Sequence, residues 1–492
     1  MKKLLAALLT VAMLIGAFAI LPSAAEDEFA AYTKIATEAD LLEFIEDVGA
    51  DGEGDLYYVL TADITMTAAW TNIDWFAGVL DGNGHKITLT QPLTAPMFND
   101  IDTAAIIKNL TIDGINRTGT ADGVYGFCKK NDGNVWDVNF TNVKLVSPAK
   151  DVGLIDKNYG TLSRINATVD IQGKGDRAAG LAVRNEGTIR YSNMFGTVKS
   201  NYHVGGFTSD AKNGIFEGCV NYATIIATCS RAAGIAATCR EDTKFINCIN
   251  YGNLYAWRSN DANKKYDTKI SGMGCWNNKN DGGVQAENCL NVGLLIGNDT
   301  STCIGAMSAE TNVGSNAPGS AVTTFTNCYT LEGVIQKFTN TNHTASDFDY
   351  TAYAPYTDIG TDAAIPAFSG TAVSADVLKS AEMITKLGSA FQLNTGADKD
   401  QYPIILVADT TPSPAPEIES DDPPADTEPV TEPITEPVTE PVTDPKTETT
   451  TKAPATSDNT ESGCASVVGF ASVGLIALAA VAPVVLRKKK ED

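Results

Sequence analysis

The motif that decides the fold reads Asp151-Val152-Gly153-Leu154, and it returns 27 residues later as Ala178-Ala179-Gly180-Leu181. A second glycine series has the same spacing, and each member begins a strand-like segment such as Gly187-Thr188-Ile189. Each unit holds three β segments, which are too short and too often interrupted by glycine to be helices. The two series contain Gly126, Gly153, Gly180, Gly206, Gly234, Gly272 and Gly305, and Gly133, Gly160, Gly187 and Gly214.

Units of this kind stack their parallel strands about 4.8 Å apart. We therefore predict an all-β fold, a right-handed parallel β-helix of about eight coils over residues 97–336. Aligning the units gives two columns of apolar or small residues and two columns of asparagines, which predict inward stacks and amide ladders. The columns are Leu110, Val138, Ile165, Ser192, Cys219, Cys248, Cys289 and Cys328; Ile171, Val198, Ile225, Leu254, Leu295 and Val334; Asn131, Asn158 and Asn185; and Asn221, Asn250 and Asn291.

Nine of the ten cysteines lie in the body of the chain. Neighbouring coils place Cα atoms within disulfide range, so Cys219–Cys248 and Cys289–Cys328 bridges are geometrically open. We favour free thiols that act as small core residues, because the odd count fits no complete disulfide framework.

Both ends of the repeat array have predicted caps. Thr37 begins an amphipathic helix that ends at Gly49, and this helix is expected to cover the first open coil. Residues 56–90 alternate as strands around the turn Asp81-Gly82-Asn83-Gly84. A second helix is predicted from Ser374 to Leu387, closed by Gly388, and a last strand at 402–406.

The two termini predict export and anchoring. Residues 1–25 have the basic start, apolar run and small-residue end of a signal peptide. Residues 409–463 repeat Thr-Glu-Pro-Val from Thr427 and predict a disordered, extended stalk. The uncharged segment Ala465–Leu486 is long enough to cross a membrane, and the basic tail 487–492 then lies inside the cell. The sequence has no clear LPxTG sorting motif, so a membrane anchor is favoured while wall attachment stays open.

These patterns divide the chain into seven segments. They are the signal peptide 1–25, the N-terminal cap 26–96, the coils 97–336, the C-terminal cap 337–408, the stalk 409–463, the membrane segment 464–486 and the tail 487–492.

The charge of the chain is concentrated outside the coils. The chain has 36 basic and 60 acidic residues, for a net charge of −24, but residues 97–336 contain 22 of each. The net acidity of the whole chain argues against nucleic-acid binding, which needs clustered Lys and Arg. Only three histidines and no close Cys/His pairing argue against a zinc site, and no cofactor is predicted.

The segment Phe76–Ile87, with its Asp-Gly-Asn-Gly turn and the glycine repeats after it, resembles bacterial surface proteins with GLUG-motif, pectin-lyase-like β-helix domains. The similarity covers roughly residues 30–407, and the segment from Leu387 to Ile404 resembles the closing segment of those proteins. The resemblance implies a secreted, adhesin-like protein displayed on the cell surface. The hydrophobic stretch with its basic tail also resembles the end of Gram-positive wall-sorting signals. Some relatives carry an IgA-protease domain, but its His-Glu-x-x-His motif is absent from this sequence.

One row of bases is a candidate binding site. Lys130, Lys157, Arg184 and Arg240 each lie eight residues before a member of a predicted inward column, with Ala211 between the last two. Like charges one coil apart repel, so the row suggests a grip on an anionic polysaccharide. The alternative is compensation by the neighbouring acids Asp132, Glu186, Glu241 and Asp242.

The function that we predict is non-catalytic binding of an extracellular polysaccharide, or of a ligand on a host or neighbouring cell, by a stalked adhesin. The alternative is a polysaccharide lyase or glycoside hydrolase on the same scaffold. Its candidate carboxylates are Asp156 and Asp210, predicted in one column two coils apart, at the edge of the spacing of an inverting pair.

Overall fold

The structure is a computed structural model that describes residues 29–51, 57–119, 123–256, 268–276, 284–298, 303–309, 324–338, 359–360, 370–394 and 402–405. All of these belong to one compact unit, Met1–Asp421. The predicted signal peptide, stalk and membrane segment lie outside the described residues. Within the described ranges, no helix is both long and apolar enough to span a membrane.

The strands, numbered β1 to β42 along the chain, form two large sheets and one hairpin. Sheet A has 26 strands. They are β1 (Thr33–Ile35), β2 (Tyr57–Leu60), β3 (Ile64–Met66), β5 (Val79–Asp81), β6 (Lys86–Leu89), β8 (Ile106–Asp113), β9 (Asn116–Thr118), β11 (Asn134–Ser147), β13 (Thr161–Ser163), β14 (Asn166–Gly173), β17 (Thr188–Arg190), β18 (Asn193–Ser200), β21 (Ile215–Glu217), β22 (Val220–Asn221), β23 (Thr224–Ala227), β26 (Thr243–Ile246), β27 (Ile249–Asn250), β28 (Leu254–Ala256), β31 (Val284–Glu287), β32 (Leu290–Asn291), β33 (Leu295–Asn298), β36 (Thr324–Thr326), β37 (Tyr329–Leu331), β38 (Ile335–Phe338), β39 (Ile359–Gly360) and β40 (Thr371–Val373).

Sheet B has 14 strands. They are β4 (Ile73–Phe76), β7 (Phe98–Ile101), β10 (Val124–Asn131), β12 (Val152–Asn158), β15 (Arg177–Ala179), β16 (Ala182–Asn185), β19 (His203–Gly205), β20 (Thr208–Lys212), β24 (Arg231–Ala233), β25 (Ala236–Arg240), β29 (Lys269–Ser271), β30 (Gly274–Trp276), β34 (Cys303–Gly305) and β35 (Ser308–Ala309). The hairpin joins β41 (Phe391–Leu393) to β42 (Pro403–Ile405), and the helices are α1 (Glu38–Asp51), α2 (Ala375–Leu378) and α3 (Ala381–Leu387).

The strands of successive coils pair in parallel, which confirms the predicted parallel β-helix of about eight coils. Each coil's strand in sheet A pairs with the strand one coil later, as in Thr161 with Thr188 and Thr188 with Ile215. The interior is a continuous stack of buried aliphatic and aromatic side chains. Burial of this stack stabilises the coil at about 25 cal/mol for each Å² of apolar surface removed from water.

Both predicted asparagine ladders are present in the structure. The amide Nδ2 of Asn131 donates to Oδ1 of Asn158, and Asn158 donates to Asn185 in the same way, each over 2.7 Å. Asn221, Asn250 and Asn291 form the second ladder at 2.8 Å. The sequence alignment missed two further ladders, Asn139–Asn166–Asn193 and Asn247–Asn288–Asn327.

The predicted columns hold with one shift at the C-terminal end. Val198, Ile225, Leu254 and Leu295 align, but the next member is Ile335 and not Val334. The turn before Ile335 contains one extra residue, which Gly333 accommodates at a φ of 78°.

The cysteines are free thiols, as favoured. All eight cysteines whose side chains are described are unbridged and buried, including Cys219, Cys248, Cys289 and Cys328 in one stack. Each of these four thiols donates to backbone carbonyls, for example Cys248 Sγ to the oxygen of Phe216 at 3.4 Å. The thiols therefore fill the core and leave no donor unsatisfied.

The N-terminal cap is the predicted helix, two residues longer than expected. Thr37 Oγ1 accepts from the backbone N–H of Asp40, whose carboxylate accepts from the N–H of Thr37 in return. The buried face packs on the first coil, with the Phe44 ring 4.7 Å from that of Tyr58. The helix continues past Gly49 to Asp51, so that glycine does not end it.

The C-terminal cap is two short helices where one was predicted. The side chain of Ser380 accepts from the N–H of Met383 at 3.2 Å, so it caps α3 and divides the segment after α2. Gly388 closes α3 at a φ of 97°, and the expected last strand is β42. Both helices and the hairpin pack on outward apolar residues of sheet A, among them Val220, Ile249 and Leu290.

Candidate functional site: the corner cleft

A column of glycines bends sheet B in the later coils. Each passage through the sheet is divided into a first arm (β15, β19, β24, β29, β34) and a second arm (β16, β20, β25, β30, β35). Gly180, Gly206, Gly234 and Gly272 lie at the bend, and a Cβ on any of them would collide with the carbonyl oxygen of the residue one coil later. Only glycine allows this close backbone approach.

The glycine spacing misplaces one coil. Gly153 pairs with Tyr125, so it does not belong to the bend column. The register between β10 and β12 then shifts between Tyr125 and Cys128. Strand β12 (Val152–Asn158) spans both arms without a break. At the bend it has one residue fewer than the coil that follows it. In the last coil of this sheet that the structure describes, Ser271 pairs with Gly305, so Ala306 and not Gly305 aligns with Gly272.

The outer faces of the two arms turn towards each other and form a concave corner, which we call the corner cleft. Its floor consists of small residues that form an apolar cluster apart from the main core: Ala233, Ala237, Cys275 and Ala309. The hydroxyl of Ser209 on the second arm donates to the carbonyl of His203 on the first at 2.9 Å. Because the floor residues are small, charged side chains on the two arms reach each other across the cleft.

Three of the four predicted bases lie on one ladder of the second arm. Lys130 pairs with Lys157, and Lys157 pairs with Arg184. The ladder continues towards the N-terminus through Asp100 to Trp75, and beyond Arg184 it continues to Asp210. We call the residues Trp75, Asp100, Lys130, Lys157, Arg184 and Asp210 the second-arm ladder.

Arg240 does not extend this row. Ala211 pairs with Cys239, so the partner of Arg240 is Lys212. The prediction placed each base eight residues before a member of the inward column. It is wrong for Arg240 because the number of residues between the second arm and that column differs between coils. Arg240 still lies near the row, because its guanidinium bonds to the carboxylate of Asp210.

The acids that neutralise these bases are mostly not the expected ones. Lys130 pairs with Asp132 as predicted. Arg184 bonds to Asp156 and, across the cleft, to Asp151 at 2.8 Å, and not to Glu186. Glu241 pairs with Lys212 at 3.2 Å and leaves Asp210 to Arg240. Contacts across the cleft are invisible to a reading of sequence neighbours, since Arg184 and Asp151 lie 33 residues apart.

Sequence reasoning missed a second row of bases, on the first arm. Arg177 pairs with His203, His203 with Arg231, and Arg231 with Lys269. We call these four residues the first-arm ladder. A signal for it exists, because each member precedes its bend glycine by three residues: Arg177 and Gly180, His203 and Gly206, Arg231 and Gly234, Lys269 and Gly272.

The first-arm ladder is largely shielded from water. Lys269 is 4% exposed, and Arg231 donates to Thr238 Oγ1 across the cleft at 3.0 Å. Burial lowers the pKa of His203 to about 3, and the cations Arg231, Arg177, Arg240 and Lys269 add to this shift. At neutral pH the imidazole is therefore uncharged, which relieves repulsion between its two cationic neighbours on the ladder.

The carboxylates of the cleft form ion pairs with arginines. Asp156 precedes Lys157, whereas Asp210 aligns with Arg184, so the prediction that they share a column is wrong. Burial raises the pKa of Asp156, while Arg184 opposes that shift. Arg177 lies 3.6 Å from Asp151, 3.7 Å from Asp176 and 3.8 Å from Asp210.

The described residues contain no group of three or more His, Cys, Asp or Glu side chains that is placed to hold a metal ion. The first-arm ladder and the second-arm bases supply guanidinium and ammonium groups to the cleft. Guanidinium and ammonium groups lined up on adjacent strands are suited to carboxylates, sulfates or phosphates repeated along a polymer.

No family model matches the chain, and no curated protein matches it. Similar solved structures include a crystal structure from Bacteroides ovatus provisionally described as an immunoglobulin A1 protease. It is 17% identical with a TM-score of 0.40, over 76% of this chain and 92% of that one. Another, an IgA1 protease, is 14% identical with a TM-score of 0.39, over 64% of this chain and 22% of that one. Similarity at this level gives no information on the activity of this chain.

Proposed function

We propose that the chain is a non-catalytic binding protein of the cell surface, which holds an anionic polysaccharide in the corner cleft. The observation that carries this proposal is the first-arm ladder, where Arg177, Arg231 and Lys269 flank and follow His203 on adjacent strands. A polyanion bound in the cleft would bring further acid groups to a ladder whose Arg177 already contacts Asp151, Asp176 and Asp210.

The spacing of the ladder fits an extended polymer that lies along the coil axis. Neighbouring strands lie about 4.8 Å apart, which is close to the length of one sugar unit in an extended uronan. Acid groups of such a chain then lie opposite Arg177, Arg231 and Lys269, and the neutral His203 lies opposite the sugar unit between the first two. Arg184 and Arg240 on the second arm supply further cations at the rim, where their side chains are 31% and 38% exposed.

The proposed location follows from the chain termini. A signal peptide at 1–25, a stalk at 409–463 and a membrane segment at Ala465–Leu486 would display the coils outside the cell. The resemblance to GLUG-motif surface proteins supports the same adhesin-like role. The membrane or cell wall of its own cell and an extracellular polysaccharide are then its two partners.

The test is a polysaccharide array probed with the full chain in detergent, with the salt concentration varied. We expect binding to uronans or sulfated glycans that weakens as salt rises. The variant Arg231→Gln/Lys269→Gln should lose at least about tenfold in affinity, because it removes two cations from the electrostatic attraction between the cleft and a polyanion. The control Lys86→Gln/Lys144→Gln removes the same charge from exposed positions on sheet A and should bind like the wild type.

Equal binding by the two double variants would contradict the proposal. A quadruple variant at Lys130, Lys157, Arg184 and Arg240 measures how much of the binding affinity the predicted row contributes. The same wells report polymer length, and shortening of a bound polysaccharide would instead support a lyase or glycoside hydrolase.

A further inference from the structure

Two exposed aromatic rings lie on sheet B next to the second-arm bases. Most large aromatic side chains of the described residues are buried, but Trp75 is 38% exposed and Tyr159 is 43% exposed. Trp75 belongs to the second-arm ladder, two strands before Lys130. Tyr159 directly follows β12, which carries Lys157.

Trp75 faces water beside the carboxylate of Asp102. In β4, Ile73 and Phe76 are buried, and Trp75 lies on the outside. The N–H of Ala104, which donates to Asp102 at 3.1 Å, and the nearby indole both lower the pKa of Asp102. A large ring with only two rotatable side-chain bonds loses little side-chain entropy when a ligand covers it.

Tyr159 is fixed through its backbone and lies beside a cation. Its N–H donates to the carbonyl of Asn131 at 2.8 Å. The ammonium of Lys130 is 6.0 Å from the centre of its ring, while it also pairs with Asp132. Lys130 therefore lies within reach of a ligand that covers the tyrosine ring.

The surroundings of the rings are polar. Asn99 donates to Asp74 at 2.5 Å next to Trp75, and Asp100 lies between Trp75 and Lys130 on the ladder. Protein-binding surfaces instead bury a contiguous apolar patch. Isolated rings among polar groups are suited to the flat apolar face of a pyranose, whose hydroxyls need hydrogen-bond partners around the ring.

We propose that Trp75 and Tyr159 are stacking platforms for two pyranose rings of an anionic polysaccharide, with acid groups of the same chain directed at Lys130 and Lys157. This inference rests on the proposed function, because it extends the ligand from the corner cleft along the second-arm ladder. The inference requires that the polyanion is built of sugar rings, which recognition by charge alone does not require.

The experiment compares two polyanions, a uronan oligosaccharide series and polyglutamate, which has carboxylates but no rings. Trp75→Ala and Tyr159→Ala should each weaken uronan binding about tenfold, the effect of one lost aromatic contact. Both variants should bind polyglutamate like the wild type. Trp75→Phe should restore part of the uronan affinity, and Tyr57→Ala, an equally exposed aromatic on sheet A, is the control.

Each outcome separates this inference from the proposed function. If Arg231→Gln/Lys269→Gln loses uronan binding but the aromatic variants do not, the proposal of stacking platforms is wrong and the proposal of a polyanion site in the corner cleft stands. If the wild type binds neutral polysaccharides through Trp75 and Tyr159 and no polyanion, the cleft proposal and the roles of Lys130 and Lys157 are wrong, and only the stacking role of the two rings stands. Equal loss for uronan and polyglutamate in the aromatic variants, or no binding at all, overturns the platforms.

Discussion

His203 is the residue whose chemistry is changed most by its position. Its neighbours on the first-arm ladder are Arg177 and Arg231, and Arg240 and Lys269 also act on it. Burial and these cations together keep the imidazole neutral far below its ordinary pKa of 6.5. The ring therefore separates two guanidinium groups without adding a charge of its own.

The pKa of His203 predicts a loss of stability in mild acid. In the unfolded chain the imidazole takes up a proton as the pH falls below about 6.5, whereas in the folded chain it does so only near pH 3. Its contribution to the free energy of unfolding is thus present above pH 6.5 and falls by about 2 kcal/mol between pH 7.5 and pH 5. His203→Gln should remove that part of the loss, measured by urea denaturation at both pH values.

The control for this measurement is His85→Gln. His85 lies at an exposed turn with Nδ1 3.2 Å from Asp63, away from the first-arm ladder. His85→Gln removes one of the groups that lower the pKa of Asp63, but it leaves the carboxylates beside the first-arm ladder unchanged. A His203→Gln variant with the wild-type pH dependence would show that the ring is not kept neutral by its surroundings.

At the scale of the strand and the turn, the glycine bend imposes a steric limit. A methyl group on Gly206 would collide with the carbonyl oxygen of Gly234 and lie 2.5 Å from Oδ1 of Asn221. Gly206→Ala should therefore lower the free energy of unfolding by about 2–3 kcal/mol or more. Thermal and denaturant unfolding of the purified chain measure this change.

The matched control is Ala306→Gly. Ala306 occupies the position of the bend glycines in the last coil of this sheet that the structure describes, and it already carries the methyl group there. This substitution should cost about 1 kcal/mol or less, the usual price of added backbone freedom. Similar losses for the two variants would mean that the bend does not require glycine.

The asparagine ladders give a second prediction at this scale. Asn158 both accepts from Asn131 and donates to Asn185, and its side chain is buried. Asn158→Ala leaves Oδ1 of Asn185 without its donor in the interior, so a loss of about 2–3 kcal/mol is expected. Asn116→Ala, at an exposed position of β9, should change stability by no more than about 0.5 kcal/mol.

The repeated elements were predictable, whereas the corners between them were not. Asn131, Asn158 and Asn185 align at a constant spacing because every coil uses the same pairing there. Val152–Asn158 has one residue fewer at the bend, and the turn at Gly333 has one more, so alignment by period misplaced Gly153 and Val334. The partners of the bases depend on the same corners. Arg184 reaches Asp151 only because the sheet bends, and a periodic alignment contains no bend.

For the whole molecule, the interior predicts inert thiols. Burial raises the pKa of Cys248 and Cys289 well above the ordinary value, so neither is a reactive thiolate. In a full-length Cys303→Ser/Cys464→Ser variant, no thiol should react with Ellman's reagent in the folded state. All eight remaining cysteines should react after unfolding in guanidinium without reductant. A lower count after unfolding would reveal a disulfide in the stack.

The uniform stacking of the coils also has an evolutionary consequence. Successive bent coils meet through the same bend-glycine and aliphatic positions, and each adds one cation or imidazole to the first-arm ladder. A coil duplicated within the gene would pair with matching coils on both sides. The β-helix would therefore lengthen without any new type of contact between coils. Its ligand track would grow by one strand spacing at a time, and the preferred ligand would lengthen in whole monomers.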